Sequence, residues 1–547
     1  MNISAKNAQL FKVLSLLTVL IPILGYFLFL DKYAVNIPYL DDYTFFDFLP
    51  KLFSEISFGE KVELFFEQHN EHRIFLNRVF AFLIYWLNGN LNYRVMIFIG
   101  NIFLLGIVAI FYHYFLQLKF HLLYFIPVPF LFFQLQFWEN SFWGMASIQN
   151  FGVIFILLIA IHFILSKKSS LFYLSLCFVF LATYTSGNGI LSIFVCGTLL
   201  LLQKRIKDFF IFCLWALLLI GTYFYHYQSP KYIHYFEGVD IIAIGQGFLL
   251  FIGSAFDLVS NMTIRIILIT LVGALSLGLV IFFLVKYLMK AWLINRQFEA
   301  IELFLLGCFL FVLGTAFIVA VTRVSFGLIS LFVSRYKIYS VLIIVSLYFC
   351  LLLKADRYLL AKAIIPLIFL SILYNLWSNY RNYYITVHLQ KQRICALINN
   401  LIVSGDKFDK LNSNIYQIPH LWFNEQLGSL KKPIIEAPKW QHSFYKTPYS
   451  EMLVFESADF EPRIEGKFGV YLMLQSSKRV YIYPVSNHSS SMRKFLRTGD
   501  FWAKGFIGSL EYQFIDADTY QLGLWIQDGK IGKAYNLNDS IKIEHNY

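Results

Sequence analysis

The chain has 547 residues, of which 58% are hydrophobic, 19% are aromatic and only 14% are charged. Soluble globular proteins contain roughly 25% charged residues, so this composition excludes an ordinary soluble enzyme. The net charge of +12 does not indicate a nucleic-acid partner. The Lys and Arg residues stand in short groups between apolar runs, where they act as topology signals.

Apolar runs of about 20 residues recur through the first two thirds of the chain, and each could cross a bilayer core of roughly 30 Å. They predict a polytopic α-helical membrane protein. Threading by the positive-inside rule, with Lys6 and Lys12 in the cytoplasm, gives about eleven spans. The predicted spans are Leu10–Leu30, Val95–Leu116, Leu122–Phe137, Ile148–Leu165, Leu171–Tyr184, Ile190–Leu202, Phe209–Tyr225, Ile266–Leu284, Ile301–Val321, Ile338–Leu353 and Leu360–Leu376.

Two further apolar segments fit a span less well. Ile74–Leu87 is short, carries Arg78 and ends at a glycine, which predicts an interfacial helix within an external loop covering residues 31–94. Ile241–Leu258 contains glycines and is interpreted as re-entrant or interfacial. Counting both as spans gives about thirteen, but that threading puts the basic groups after residues 166 and 203 outside the cell. Both counts place the C-terminus outside.

Two domains are expected, a transmembrane domain over residues 1–376 and an external soluble domain over residues 377–547. From Trp377 onward, Pro, Gly and charged residues occur at globular frequency. Residues 377–402 predict an amphipathic helix, and residues 469–474, 479–483 and 520–526 predict short strands of a β-rich domain. Five of the six cysteines lie in predicted spans, so neither a disulfide framework nor a thiolate metal site is indicated.

The predicted threading places nearly every chemically capable side chain at the non-cytoplasmic face. Asp41 and Asp42 follow the first span by about ten residues, at the level of the lipid headgroups. Partial burial there would raise the pKa of a carboxyl group towards that of a useful general base. The alternative interpretation is a solvated acidic pair in a loop.

The densest polar run of the membrane half lies before the predicted interfacial helix. It contains His69, Glu71, His72 and Arg73. Arg73 or Arg78 could hold a phosphate through its planar guanidinium, and His69 or His72 could relay protons or bind a metal. A helix starting near Glu67 would place Glu67, Glu71 and Arg78 on one face. The alternative is a polar cap that anchors the helix to headgroups.

Three other places at the same face carry candidate binding residues. Trp138 fits an aromatic belt, but Glu139 beside it is an acid held at the apolar boundary. Asn188 lies in a Ser-Gly-Asn-Gly segment that also reads as a tight turn. Arg335 and Tyr336, followed by Lys337, put cations on the external side, which favours an anionic partner such as a lipid-linked phosphate.

This order of features resembles the C-type (GT-C) fold of integral-membrane glycosyltransferases that use polyprenyl-phosphate-linked sugars. Bacterial members carry an early acid, a His-Glu-His-Arg-like run and a late Ser-Arg-Tyr. The matching positions here are Asp41 and Asp42, residues 69–73, and residues 334–336. The resemblance covers residues 1–376 and does not include the β-rich tail.

The resemblance implies transfer of a sugar from a polyprenyl-phosphate donor to a glycan or lipid acceptor at the outer face of a bacterial inner membrane. Asp41 or Asp42 would act as general base on the acceptor hydroxyl or orient it. Arg335, with Arg73 or Arg78, would hold the phosphate, and the lipid tail would lie among spans and membrane lipids. Some members use a divalent metal, Mg²⁺ or Mn²⁺, and many do not, so the metal stays open.

Two other function classes remain as alternatives. A polysaccharide or O-antigen polymerase or ligase shares the polyprenyl donor, but its arginines and histidine typically lie in late external loops. A glycan flippase or transporter would have polar groups at mid-membrane depth and often repeated halves. The dense early cluster and the absence of a sequence repeat favour the transferase.

Overall fold

The protein is described from a computed structural model, which covers residues 5–229, 240–293, 297–404, 415–416, 435–436, 442–446, 452–458, 469–511, 515–528 and 531–544. The chain divides into two compact units. The first comprises Met1–Ala34 and Pro38–Tyr383, and the second comprises Val35–Ile37 and Tyr384–Tyr547. The side chain of Lys6 and the loop predicted around Pro230 lie outside the described residues.

In the residues that the structure describes, the first unit is helical apart from one small hairpin. Its helices are α1 (Ala5–Tyr33), α2 (Phe45–Phe53), α3 (Phe58–Phe66), α4 (Phe75–Asn88), α5 (Tyr93–Gln117), α6 (Pro127–Phe132), α7 (Trp138–Phe142), α8 (Gly144–Ile164), α9 (Ser169–Thr183), α10 (Leu191–Leu202), α11 (Ile206–Phe224), α12 (Ile241–Gly253), α13 (Met262–Leu293), α14 (Ala300–Arg323), α15 (Lys337–Lys354) and the start of α16 (Arg357–Ser404). The hairpin consists of β1 (Gln68–His69) and β2 (His72–Arg73).

Within the described part of the chain, nine helical segments are long and apolar enough to cross a membrane. This confirms the predicted class, a polytopic α-helical membrane protein with a β domain at its C-terminal end. The predicted fifth and sixth spans correspond to α9, with 15 residues, and α10, with 12 residues. Helices of that length cover only about 18–23 Å, less than a typical bilayer core.

Two predicted segments differ in continuity from the expectation. The third predicted span, Leu122–Phe137, lies within the candidate span Leu122–Phe142, but it consists of α6 and 3₁₀ turns rather than one helix. Pro127 is the first residue of α6 and cannot donate a backbone hydrogen bond to the preceding turn. The change of composition at Trp377 falls inside α16, so the predicted eleventh span and the helix predicted over residues 377–402 form one continuous helix of 48 residues. Polarity rises at Trp377, but neither Pro nor Gly follows Pro366 in this helix, so the backbone continues.

Both ends of α4 lie at the same end of the helix bundle. Before it, the His69 ring lies 4.0 Å from the Asp41 carboxylate. After it, the Tyr93 hydroxyl donates a hydrogen bond of 3.2 Å to the carbonyl of Asp42. The helix ends at Gly89, whose φ of 70° is readily adopted only by glycine. The segments before and after this 14-residue helix both contact the Asp41-Asp42 turn. The chain therefore enters and leaves α4 at the same end of the bundle.

Other connecting segments meet at the opposite end of the bundle. The Lys354 ammonium, at the end of α15, pairs with Glu302 of α14 at 2.7 Å. The Arg205 guanidinium donates a hydrogen bond of 2.6 Å to the carbonyl of Ile164. Alternate connections therefore gather at opposite ends, as expected for antiparallel neighbours joined by short loops.

The described part of the second unit is built on an eight-stranded sheet, together with the C-terminal part of α16 and the short helix α17 (Met492–Thr498). Its strands are β3 (Ile435–Glu436), β4 (His442–Lys446), β5 (Met452–Ser457), β6 (Gly469–Gln475), β7 (Val480–Ser489), β8 (Trp502–Glu511), β9 (Asp518–Asp528) and β10 (Ile531–Ile543). They lie in the order β3-β10-β9-β6-β7-β8-β5-β4, and all neighbours are antiparallel except β3 and β10. The three predicted strands are confirmed as β6, β7 and β9.

Strand β6 shows why this sheet is stable. Leu472 and Leu474 pack in one core with side chains of β9, whereas Tyr471 and Met473 face Ile398 of α16. Alternate side chains of a strand point to opposite faces, so an uninterrupted apolar run is buried on both sides. One face of the sheet therefore packs against α16, and the other face forms a second core from side chains of the strands themselves.

Candidate functional site

The polar run before α4 forms a hairpin, so the expectation of a helix starting near Glu67 is wrong. His69 pairs with His72 across the two strands, and Gln68 pairs with Arg73. Asn70 at the turn has a φ of 50°, in the left-handed region that Asn adopts more readily than most residues. The hairpin places the His69 and His72 rings 6.3 Å apart.

Asp41 lies beside this hairpin. Its carboxylate is 4.0 Å from the His69 ring, and 46% of its side chain is exposed. The polar contact with His69 contributes most to lowering the pKa of Asp41; partial burial opposes this, while the charges of His69, His72 and Arg335 lower it further. Asp41 is therefore an accessible carboxylate that stays ionised at neutral pH and lies within the electrostatic reach of Arg335.

His72 is the other imidazole of the pair. Burial lowers its pKa to about 4, and the neighbouring His69 lowers it as well. The amide of Gln149 lies 3.2 Å from its Nε2 atom. Gly187 packs so closely that a Cβ atom there would stand 3.2 Å from the Cβ of His72. His72 is thus a neutral ring at pH 7 that lies against the segment carrying Asn188.

Arg335 is held at the site by Glu139. One oxygen of the Glu139 carboxylate accepts the backbone N–H of Arg335 at 3.0 Å, and the other accepts its Nη1 group at 3.2 Å. The Ser334 hydroxyl accepts the backbone N–H of Glu139 at 3.0 Å. The guanidinium lies 5.4 Å from the centre of the Tyr336 ring, and about a third of the Arg335 side chain is exposed. A partly exposed cation is therefore held by a counter-ion that is mostly buried.

A chain of amide and hydroxyl groups connects Arg335 with Asn188. Asn140 donates to the carbonyl of Arg335 at 2.8 Å, and Asn150 donates to the side-chain oxygen of Asn140 at 3.0 Å. The Tyr339 hydroxyl donates to Asn150 at 3.1 Å and accepts from Asn188 at 3.0 Å. This network fixes the geometry between two connecting segments that are far apart in sequence.

Asp42 differs from its neighbour, because its carboxylate is fully buried and occupied by backbone donors. One oxygen accepts the N–H of Met145 at 2.9 Å and the other accepts the N–H of Tyr39 at 3.1 Å. Met145 is in the first turn of α8, where N–H groups have no partner within the helix. Asp42 therefore stabilises the start of α8, and this placement opposes a catalytic role.

The donors of Arg73 and Arg78 are likewise directed at the protein itself. Arg73 is 7% exposed and donates to the carbonyls of Tyr223 and Tyr225 at 2.8 and 2.6 Å. Arg78 is 2% exposed and donates to the carbonyl of Glu67, whose carboxylate is 3.7 Å away. Both guanidinium groups tie backbone segments together, so the phosphate-holding role expected of them is opposed by their placement.

The remaining predicted residues lie at the periphery of this cluster. Glu71 forms an ion pair with Arg323 at the end of α14, and its carbonyl accepts the Tyr227 hydroxyl at 2.9 Å. Trp138 is the partly exposed first residue of α7, directly before Glu139. Glu71 thus anchors the hairpin turn to α14.

A divalent metal, which the resemblance leaves open, would need ligands among the residues of the site. Among the described residues, no three His, Cys, Asp or Glu side chains are grouped closely enough to hold a metal ion. Asp41 and His69 together supply only two ligands. This donor set does not fit a resident Mg²⁺ or Mn²⁺, both of which prefer several oxygen ligands.

A groove of about 1150 Å³ adjoins the hairpin. Its apolar wall comes from Phe66, Phe180, Trp215, Leu218 and Leu219, and its polar rim includes Glu60, Glu63, Gln68, Asn70 and Gln228. An apolar wall with a polar rim suits an amphipathic ligand that has a hydrocarbon part and a hydroxyl-rich part.

Sequence reasoning missed several residues that organise the site. Gln149, Asn140, Asn150 and Tyr339 all lie in or beside apolar helices, where single amides and hydroxyls look unremarkable in a sequence. A buried amide within an apolar helix is costly unless it is hydrogen-bonded. That cost is the only signal in the sequence that could have indicated these residues.

Comparison with known proteins gave no relative. No protein-family model matches the chain, and no curated protein or solved structure matches it. The class that the structure defines is therefore a polytopic membrane protein with a C-terminal β domain, and its function is argued from the site alone.

Proposed function

We propose that this protein is a membrane glycosyltransferase that moves a sugar from a polyprenyl-phosphate donor to a hydroxyl of a glycan or lipid acceptor. The observation that carries the proposal is that Asp41, an accessible ionised carboxylate beside His69, lies within the electrostatic reach of Arg335, a partly exposed cation. Glycosyl transfer from a phosphate needs both: a group to take the acceptor proton and a cation to accept the leaving charge.

The step proposed for these residues is a single displacement. The acceptor oxygen forms a bond to the anomeric carbon while the bond from that carbon to the phosphate oxygen breaks. The bonding electrons leave with the phosphate, whose charge Arg335 stabilises, and the acceptor proton passes to Asp41. Because the pKa of Asp41 is lowered, it is a weak base, so its larger contribution is to orient the hydroxyl and take the proton late in the step.

The surrounding residues have positioning roles in this proposal. His69 holds the Asp41 carboxylate, and the neutral His72 donates or accepts a hydrogen bond to a sugar hydroxyl without adding charge. Glu139 holds Arg335. The groove beside the hairpin accommodates the polyprenyl chain on its apolar wall. No step is assigned to a metal, because the donor set does not fit one.

The proposal also includes an orientation. The N-terminus is cytoplasmic, and the site and the β domain face the outside of a bacterial inner membrane, where lipid-linked sugars would be consumed. The basic groups after residues 166 and 203 favour this orientation by the positive-inside rule.

The test uses Asp41→Asn and Arg335→Ala, each expressed at the wild-type level, with surface glycans analysed by mass spectrometry. Asp47→Asn is the matched control, because Asp47 is an exposed acid on the next helix. We expect both site variants to lose one glycan species that the control retains. If both variants leave every surface glycan unchanged, the transferase proposal is wrong.

A further inference from the structure

A second charged cluster lies near the start of α13 and α15, outside the site described above. Asp257 is 5% exposed and is the only carboxylate of the cluster among the described residues. Arg265 binds both of its oxygens, with Nη2 to Oδ2 at 2.5 Å, and the Lys337 ammonium approaches Oδ2 at 2.6 Å. Arg381 also interacts electrostatically with Asp257 and Arg265. Three cations therefore share one acid.

The charges of this cluster do not balance. Burial would raise the pKa of Asp257, but the bonds from Arg265 and Lys337 outweigh burial and lower it, so the carboxylate is ionised. The cluster then carries two excess positive charges. Cations held together at the end of apolar helices repel one another strongly unless an anion joins them.

The cluster is also accessible, and its donor groups suit an anion. Arg265 has 24% of its side chain exposed, and Arg381 is partly exposed and donates to the exposed Ser260 hydroxyl at 2.7 Å. Two guanidinium groups and an ammonium supply planar forks and a point charge, the donors that match the oxygens of a phosphate. Excess charge of two matches a phosphate that carries one or two negative charges.

This cluster is separate from the proposed catalytic cation. Arg335 and Lys337 are only two residues apart, but Arg335 pairs with Glu139 whereas Lys337 pairs with Asp257. Each carboxylate comes from a different segment, and the two cations are therefore held in different environments.

We infer that Arg265, Lys337 and Arg381 form a phosphate-binding site, occupied by the headgroup phosphate of an anionic phospholipid or by free phosphate. Location favours the phospholipid, because Arg265 and Lys337 lie in the first turns of apolar helices, where headgroups would be met if α13 and α15 cross the membrane. The inference does not depend on the proposed sugar transfer.

The test is a binding measurement on delipidated protein in detergent. Native mass spectrometry would follow titration with phosphatidylglycerol, with diacylglycerol as the ligand that lacks a phosphate. The variants are Arg381→Gln and Arg265→Gln; the latter leaves Asp257 paired with Lys337, which protects the fold. Arg357→Gln is the control, because Arg357 is an exposed cation on α16, the helix that carries Arg381, and lies roughly 36 Å from Arg381 along that helix.

We expect the dissociation constant for phosphatidylglycerol to rise about tenfold in each cluster variant and to stay unchanged in Arg357→Gln, with diacylglycerol binding insensitive to all three. A parallel titration with inorganic phosphate distinguishes the source. If the Arg381 and Arg265 variants weaken the binding of inorganic phosphate but not of phosphatidylglycerol, the site takes free phosphate. If neither ligand distinguishes the wild type from the two cluster variants, the inference is overturned.

Discussion

Glu139 binds Arg335 through both its backbone and its side chain. The carboxylate accepts the backbone N–H at 3.0 Å and the Nη1 group at 3.2 Å. The acid is 12% exposed, whereas the arginine side chain is 35% exposed. A mostly buried acid and a partly exposed arginine thereby join two connecting segments 196 positions apart. Glu139 therefore sets the position of the cation that the proposed reaction requires.

Replacing Glu139 tests this positioning role. Glu139→Gln keeps one acceptor oxygen but loses the charge that holds Nη1, so we expect KM for the lipid-linked donor to rise about tenfold with a smaller change in kcat. Initial rates of sugar transfer at varied donor concentration would measure both.

Glu302→Gln is the matched control, because Glu302 is a buried acid paired with Lys354 at 2.7 Å at the opposite end of the bundle. It should lower stability to a similar extent and leave the donor KM unchanged. Equal effects of the two variants on KM would show that Glu139 acts only through the fold.

Substitutions of the two adjacent aspartates should have different effects, with Asp42 needed for stability and Asp41 needed for transfer activity. Asp42→Ala removes the acceptor for the N–H groups of Met145 and Tyr39, both in buried surroundings. We expect the free energy of unfolding to fall by about 1–3 kcal/mol, seen as a lower thermal midpoint. Asp41→Ala should change the thermal midpoint no more than an ordinary surface substitution does, and it should abolish sugar transfer. A normal midpoint for Asp42→Ala would contradict its assignment to the start of α8.

The same pair shows what a sequence can and cannot indicate. Hydropathy placed most of the apolar helices and three of the strands, because burial against lipid or against a sheet needs a continuous apolar stretch. Hydropathy cannot distinguish Asp41 from Asp42. Their difference arises from a contact with Met145, 103 positions further along the chain, which only the fold determines.

The sequence likewise cannot show which of the candidate arginines is available to bind a phosphate. Arg73, Arg78 and Arg335 were all candidates to hold a phosphate, since each arginine stands near an apolar helix. The fold directs the first two at backbone carbonyls, and it exposes the third. The hairpin at Asn70 was missed because two-residue strands carry too short a pattern to outweigh the signal of the helix that follows them.

His72 gives the protein a dependence of stability on pH. Its pKa is about 4 in the folded protein, against 6.5 for an ordinary histidine. As the pH falls from 6.5 to 4, the unfolded chain takes up a proton that the folded protein does not, so stability decreases across this window by about 3 kcal/mol at most. Thermal midpoints of the wild type should fall over this range. His72→Gln should show a shallower decline, and an identical slope would disprove the assignment.

Gly189 is required where the chain turns between α9 and α10. A Cβ atom there would stand 1.8 Å from the carbonyl oxygen of Ala182, so Gly189→Ala must displace backbone. We expect a loss of about 1–3 kcal/mol in stability and, through the adjacent Asn188, a loss of transfer activity.

The control is Gly221→Ala, because a Cβ at Gly221 in α11 meets nothing within 4 Å. Alanine should raise the thermal midpoint slightly there, since glycine is a poor helix former. If Gly189→Ala behaves like this control, the close approach to Ala182 is not a feature of the protein.

The orientation of the proposed site can be tested by single cysteines and a membrane-impermeant thiol reagent on intact cells. Glu55, Lys167 and Lys478 are exposed, and they sample the loop before the hairpin, the connection between α8 and α9, and the β domain. With the site outside, Glu55→Cys and Lys478→Cys should be labelled in intact cells, and Lys167→Cys only after permeabilisation. The parent chain corrects for the exposed native Cys177. Labelling of Lys167→Cys from outside, with Glu55→Cys protected, would reverse the topology, and an outer-face transferase could not then use Asp41 and Arg335.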